Sequence, residues 1–357
     1  MNPETERVLE RRAEFLGPAY KLFYEEPVHL IRGEGVWMFD SDGKRYLDTY
    51  NNVPHIGHCH PHFVKAVQDQ VAVLNTHTRY LHETILDYAE SLLDTHDDEL
   101  NTAFFVCSGT EANELALRLA RDFTGNMGVI VTSSAYHGNS RAIYEISSRD
   151  VAQEDLPDYV VTIPAPDTYR GPHSGPDAAD QYASYVEEAI ATLQGRGHGM
   201  AALVFDTVMS SDGTIIAPDG YVRKCAEIVR NAGGLFVADE VQGGFGRMGT
   251  NFWAYQSHDV TPDFVTTGKP MGNGMPLSGV VTRRDIVQHF ARDKKYFNTF
   301  GGGPMACAAG LAVLDVLRDE GLQQNALDVG NYLICAMRKL AEEHECIGDI
   351  RGSGFFL

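Results

Sequence analysis

Lys269 stands alone between a glycine and a proline in TTGKPMGNGMPLSG, residues 266–279, where almost nothing else can ionise. It follows the apolar run 263–267, which reads as a short strand, so the amine falls at a strand end and not on a solvated helix. Pro270 bars a helix through this point and is expected to push Lys269 toward an extended backbone. Taken alone, the stretch fits a lysine at a loop tip as well as a nucleophile. A second strand-like run, AFFVC at 103–107, passes at once into Ser108-Gly109-Thr110 and a helix pattern from Glu111. Hydroxyls and free N–H groups at a helix start make an anion cradle, though an ordinary N-cap uses the same residues. A third run, LFVADE at 235–240, ends in Asp239 and Glu240. A carboxylate at a buried strand end needs a partner, because an unpaired interior ion is costly, and capping is the plainer use for it.

The elements that must position these groups alternate. The runs 103–107, 128–132, 201–206, 235–240 and 263–267 are almost continuously apolar, the pattern of strands covered on both faces. Amphipathic segments at 111–123, 182–193 and 220–234 lie between them, the last closed by a glycine pair. Alternation of this kind predicts an α/β domain with a mainly parallel central sheet and helices on both faces. Residues 1–50 differ, with a helix pattern at 6–16 and a hairpin turning at Ser41-Asp42-Gly43, and read as part of a smaller α+β domain. Residues 51–310 are assigned to the large domain, and 311–357, helical with a final strand beginning near 347, to the start of a C-terminal small domain. That ending is expected to be incomplete.

In open parallel sheets ligands gather at the carboxyl ends of the strands, so Lys269, the 108–110 cradle and Asp239 should meet at one edge. A lysine for an imine, a cradle for a phosphate and a carboxylate for a pyridinium nitrogen are together what pyridoxal 5'-phosphate needs. LFVADEVQGGFGRMGTNFWAYQ through VTPDFVTTGKPMGNGMPLSGVV also resembles the signature of the class III pyridoxal-phosphate aminotransferases of fold type I. VCSGTEANELALRLAR, AYHGNS and NTFGGGPMACAAGLAVLDVL are similar to the same family. The resemblance implies Lys269 as the Schiff-base lysine, Asp239 as partner of the ring nitrogen, and Ser108, Gly109 and Thr110 as phosphate ligands. It further implies Tyr136 stacked on the ring with His137 beside it in the cofactor site, and Gln242 near the phenolic oxygen. Thr299 would reach the phosphate from a neighbouring subunit, which implies a homodimer with shared sites. Gly303 departs from the asparagine usual before Pro304, and only a local loop difference is expected.

The pocket chooses the reaction. Many relatives with two substrates carry a switching glutamate after the strand equivalent to 201–206; in FDTVMSSDGTI that place falls on Ser211. YNNVPHIGHCHP, LNTHTRYLHE and PAPDTYRG resemble a narrower subgroup, the ethanolamine-phosphate phospho-lyases. The resemblance implies a lyase acting on a phosphorylated amine, with Arg79, Tyr80 and Asn52 in its substrate site; an aminotransferase of the alanine-glyoxylate type is the alternative. A guanidinium grips phosphate bidentately, whereas the plainer account of Arg79 is an exposed helix-start arginine.

Bulk properties narrow the rest. The 357 residues carry 49 acidic and 29 basic side chains, a net charge of −20, which opposes nucleic acid and anionic membrane as partners. Six scattered cysteines without a C-x-x-C pair and a charged N-terminus without an apolar run suggest a cytoplasmic protein. HIGHCHPH packs four histidines and Cys59 into residues 55–62, but its spacing matches no helix-borne zinc motif and no metal is expected.

Overall fold

The computed structural model describes residues 2–50 and 53–357; Asn52, placed by sequence in the substrate site, lies outside them. Helix α1 (Pro3–Leu16) starts at Asn2, whose side chain accepts the Thr5 N–H. Strands β1 (Leu30–Glu34), β2 (Trp37–Asp40) and β3 (Arg45–Leu47) form a small antiparallel sheet. The β2–β3 hairpin is the one expected at residues 41–43, and Asp40 holds it by accepting the N–H groups of Asp42 and Lys44. β1 was not foreseen, because its five residues LIRGE carry no alternation.

Helices α2 (Pro61–Val73) and α3 (Glu83–Leu93) precede the seven-stranded sheet. There follow β4 (Thr102–Val106), α4 (Gly109–Thr124), β5 (Gly128–Thr132), α5 (Arg141–Tyr144), β6 (Val160–Ile163), α6 (Ala178–Gly195), β7 (Met200–Asp206), α7 (Tyr221–Asn231), β8 (Leu235–Asp239), β9 (Phe264–Thr267) and β10 (Ser278–Thr282). The seven strands lie in the order β4-β10-β9-β8-β7-β5-β6, all parallel except β10, which runs antiparallel between β4 and β9. Helices α8 (Arg284–Phe290), α9 (Pro304–Asp319) and α10 (Leu322–Glu343) complete the chain.

The continuous apolar runs have the cause inferred from sequence. Val129, Val131, Ala202, Val204, Val237, Phe264 and Val280 pack with α4 on one face. Their neighbours Ile130, Leu203, Phe205, Phe236, Ala238, Val265 and Val281 pack with α6, α7 and α9 on the other. Successive strand residues point to opposite faces, so a sheet with two covered faces needs apolar residues at every position. Burying each valine, leucine, isoleucine or phenylalanine among them stabilises by about 1.5–3 kcal/mol. The strand expected from residue 347 did not form: the segment turns, with a single bridge between Ser353 and Phe356. Gly352 and Gly354 take φ of +122° and +57°, which breaks an extended run. Among the described residues, no helix is long and apolar enough to cross a membrane.

Candidate active site

Three strand ends bring the groups together. β8 and β9 are parallel neighbours with Asp239 opposite Thr266, so the residues that follow Thr267 emerge beside Asp239. The strand stops at Gly268, and Lys269–Gly272 form a single 3-10 turn with Pro270 at its start. Lys269 does not take the extended backbone expected from the proline: its φ is +28°, in the left-handed region. Such a conformation is costly for a residue with a side chain and persists only where the surroundings hold it, as they do in functional turns. Here Pro270 and Met271 are buried, the Met271 N–H bonds to Gly268 O at 2.8 Å, and the lysine side chain stays exposed. Surrounding protein lowers its pKa from the ordinary lysine value, while Asp239 and Asp206 act to raise it.

The cradle adjoins this turn. A Cβ on Gly268 would lie 2.8 Å from Ser278 Oγ and 3.4 Å from Gly109 N and Cα, so glycine is needed for the two loops to touch. Gly109 in turn faces Val241, which would stand 3.0 Å from an added Cβ. Ser108 is the N-cap of α4 and accepts the Glu111 N–H at 3.3 Å. Ser108 thus fills the plain capping role. Thr110 Oγ1 meets the Asn139 amide group and N–H, both at 3.3 Å, which ties the cradle to the loop bearing Tyr136. Tyr136 is half-buried, with the Arg149 guanidinium 4.4 Å from its ring centre.

Asp239 is only 5% exposed and is fully partnered. His137 Nδ1–H donates to Oδ2 at 2.7 Å, Asn113 Nδ2 donates to the same oxygen at 2.9 Å, and Val241 N–H donates to Oδ1 at 3.1 Å. His137 thus stands behind the carboxylate. Asn113 also donates to His137 O at 2.8 Å and accepts from Thr266 Oγ1 at 2.6 Å. Glu240 serves the fold instead. Thr207 Oγ1, Tyr255 N–H and Ala254 N–H donate to it at 2.6, 2.7 and 2.9 Å, which fastens the 254–258 turn to the sheet.

Two groups in this site escaped the sequence reading. Asp206 ends β7 directly opposite Asp239, and burial together with the Asp239 charge pushes its pKa up to about 6. Its signal was the one used for Asp239, a carboxylate closing an apolar run. Asn113 was legible as a polar residue on the apolar stripe of α4 between Ala112 and Leu115.

Thr299 lines a cavity of about 570 Å³ with Thr76, His77, Cys107, Met275, Pro276 and Gly303. Arg79 and Tyr80 belong to the same neighbourhood: the Arg79 guanidinium sits 3.7 Å over Phe297, and His77 stacks on Tyr80 at 5.1 Å. Cys107 joins this cavity to the cradle, since it precedes Ser108. The histidines of 55–62 diverge. His58 pairs with Asp48, His60 with Glu320 and His62 with Asp315, while His55 bonds to Phe245 O and Arg247. Among the described residues no group of three or more His, Cys, Asp or Glu could hold a metal ion.

A fold type I sheet with a lysine, a carboxylate and an anion cradle at its strand ends defines a class of enzymes dependent on pyridoxal 5'-phosphate. The family described as Aminotransferase class-III matches residues 23–357, and the chain belongs to that family. It is 45% identical over 356 residues to alanine–glyoxylate aminotransferase 2-like of Drosophila melanogaster, spanning 97% of this chain and 72% of that protein. With ethanolamine-phosphate phospho-lyase homolog 1 of Caenorhabditis elegans it shares 40% identity over 368 residues, 98% of this chain and 79% of the relative. Among solved structures, a phospholyase from Arthrobacter in complex with phosphoethanolamine matches with a TM-score of 0.94 at 43% identity, over 97% of this chain and 82% of the other. These relatives are named for two different reactions.

Proposed function

We propose that this enzyme is a phospho-lyase that eliminates phosphate from a phosphorylated amino alcohol such as ethanolamine phosphate, giving an aldehyde, ammonia and phosphate. The observation that carries the proposal is Arg79. In a chain with 49 acidic residues, its guanidinium forms no ion pair among the described residues. It is held over Phe297 beside the Thr299 cavity with its donors open. Arginine in that state is prepared for a planar oxyanion such as phosphate. By the family resemblance, Ser211, with no ionisable group, falls where many two-substrate relatives carry a switching glutamate, which supports this reading. The likeness to the Arthrobacter phospholyase supports the same assignment.

The residues fit the cofactor. Ser108, Gly109 and Thr110 would hold its phosphate, joined by Thr299 of a second copy. Lys269 would be its attachment point, Tyr136 and Gln242 would lie beside it, and Asp239, braced by His137, would keep the proton on its ring nitrogen. The exposure of Val73, Leu81 and Phe300, at 81%, 103% and 76%, supports a second copy covering the α2–α3 connection and the 297–300 loop. When bound, the cofactor supplies an electron-withdrawing ring for the pair released at the carbon bearing the substrate nitrogen. Lys269 removes the proton from that carbon, and its lowered pKa provides the free amine nearer neutral pH. The C–O bond on the adjacent carbon breaks, and phosphate leaves with the electron pair toward the positive charge of Arg79. The released enamine hydrolyses to aldehyde and ammonia.

The test is incubation with ethanolamine phosphate without any keto acid, following inorganic phosphate and the cofactor spectrum together. Many turnovers of phosphate release are expected. A single turnover that resumes only on adding pyruvate or glyoxylate would instead establish the aminotransferase named for the Drosophila relative.

A further inference from the structure

The segment 55–58, at the head of the histidine-rich stretch, is bonded to three separate parts of the fold. His58 exchanges backbone hydrogen bonds of 2.7 and 3.0 Å with Gly35, between β1 and β2. The Ile56 N–H donates to Asn273 Oδ1 at 3.0 Å, and Asn273 Nδ2 donates in return to Gly57 O at 3.2 Å. His55 Nε2–H donates to Phe245 O at 2.7 Å, while Nδ1 accepts from Arg247 at 2.9 Å. A carbonyl can only accept and a guanidinium can only donate, so this pair of bonds fixes one neutral tautomer of the ring. Surrounding protein, and then the Arg247 charge, push the His55 pKa down to about 3. The segment thus ties the small sheet to the turn bearing Lys269 and to the turn after β8.

Both of those turns contain backbone that needs support. Lys269 opens its turn at φ +28°, and Asn273 closes it at φ +46° with its own N–H bonded to Pro270 O at 3.2 Å. Phe245 stands at φ +62° in the other turn. Left-handed residues with side chains are costly and persist only where their surroundings over-determine them. Asparagine tolerates that region better than most. At 273 it is buried, and its amide bonds to the 56–57 backbone through both its oxygen and its nitrogen.

We infer that Asn273 and His55 are positioning residues, through which the 55–58 segment clasps the Lys269 turn to the Arg247 turn and sets how the lysine amine is presented. This role rests on Lys269 being the attachment point of the cofactor. Asp239 and Asp206 bear on that amine as negative charges, Arg247 and Arg149 as positive ones. Of these four, Arg247 is the one the clasp holds directly, through His55.

The test begins with borohydride reduction of the parent holoenzyme and peptide mapping. A pyridoxyl group on a lysine other than Lys269 would end the assignment of Lys269, and the clasp's part in catalysis with it. Holoenzymes carrying Asn273→Gly, Asn273→Ala, His55→Ala or His55→Gln are then compared for kcat, KM, Tm and the pH midpoint of the cofactor's visible absorption. The substrate is ethanolamine phosphate, or the amino donor and keto acid if the earlier test establishes the aminotransferase, so the result does not depend on which reaction is right. Glycine takes a positive φ freely, so Asn273→Gly removes the side-chain bonds without straining the backbone. It should lower kcat about tenfold, the rate equivalent of the hydrogen bonds lost, with KM within about twofold of the parent. Asn273→Ala, which also strains the turn, should lose more. His55→Ala frees Arg247, whose positive charge disfavours a proton on the lysine nitrogen, so the midpoint should rise. His55→Gln, with one donor and one acceptor, should bring it back toward the parent. Parental kcat in Asn273→Gly beside a defective Asn273→Ala would overturn the clasp and leave only a need for left-handed backbone. A fall in Tm in Asn273→Gly and His55→Ala with kcat and midpoint unchanged would also overturn it, since the joint would then be structural alone.

Discussion

Asp239 shows how one side chain is prepared by its neighbours. In its proposed role beside the cofactor's ring nitrogen, Asp239 works with only 5% of the residue exposed, where water contributes little. His137, Asn113 and the Val241 N–H replace the missing solvent. Asp239→Asn should fold, because the amide can still accept from His137 or Asn113, yet a neutral group no longer stabilises the ring proton. Removing one partner of a buried charge pair costs roughly 3–5 kcal/mol. If that cost falls on the transition state, turnover should drop by at least about a hundredfold. Steady-state kinetics beside circular dichroism checks this; near-parental turnover with intact folding would remove the ring nitrogen from Asp239's account.

At the scale of elements, the two adjacent carboxylates ending β8 divide their work because strand neighbours point to opposite sides. Asp239 is bound to His137 and Asn113, whereas Glu240 joins the end of β8 to Thr207 and to the 254–258 turn. Burial pushes the Glu240 pKa up to about 7, against the hydrogen bonds from Thr207, Ala254 and Tyr255. Since the folded value lies above the ordinary 4.5, its contribution to stability is fully present below about pH 4.5 and is lost as pH rises through about 7. Glu240→Gln sets an amide NH2 against backbone N–H donors, a loss of roughly 1–3 kcal/mol. At pH 5 the variant should therefore melt a few degrees lower. The difference should narrow toward pH 8, where only the parent must hold a buried charge. Melting curves at both pH values decide, and a gap that widens with pH would mean that the ionised form is the one the fold prefers.

For the whole molecule, the proposed sharing of each site between two copies carries a consequence for assembly. If each site combines Lys269 of one copy with Arg79 of the other, Lys269→Ala and Arg79→Ala are defective separately. Mixed and reassembled from equal amounts, they should regain about a quarter of the parental sites, since half the dimers are mixed and each of these rebuilds one complete site. Activity after co-refolding measures it. No recovery beyond the sum of the separate variants would place Arg79 in the same copy as its Lys269.

Much of this was legible in the chain alone. The apolar runs foretold a doubly covered sheet because period-two burial on both faces leaves no polar position. Lys269, Ser108 to Thr110 and Asp239 could be singled out because strand ends in parallel sheets share one edge. What the one-dimensional pattern could not supply was contact between residues far apart in sequence. β10 enters antiparallel between β4 and β9, an order no local propensity encodes. Asn113 meets Asp239 across 126 positions and Gln242 meets Ser210 across 32, so neither pairing leaves a periodic trace. The left-handed backbone of Lys269 likewise came from buried Pro270 and Met271 overruling the local preference before proline. Residue chemistry was decided by sequence, but the partners that tune each charge were decided by the tertiary structure, because only packing brings distant donors to a buried carboxylate.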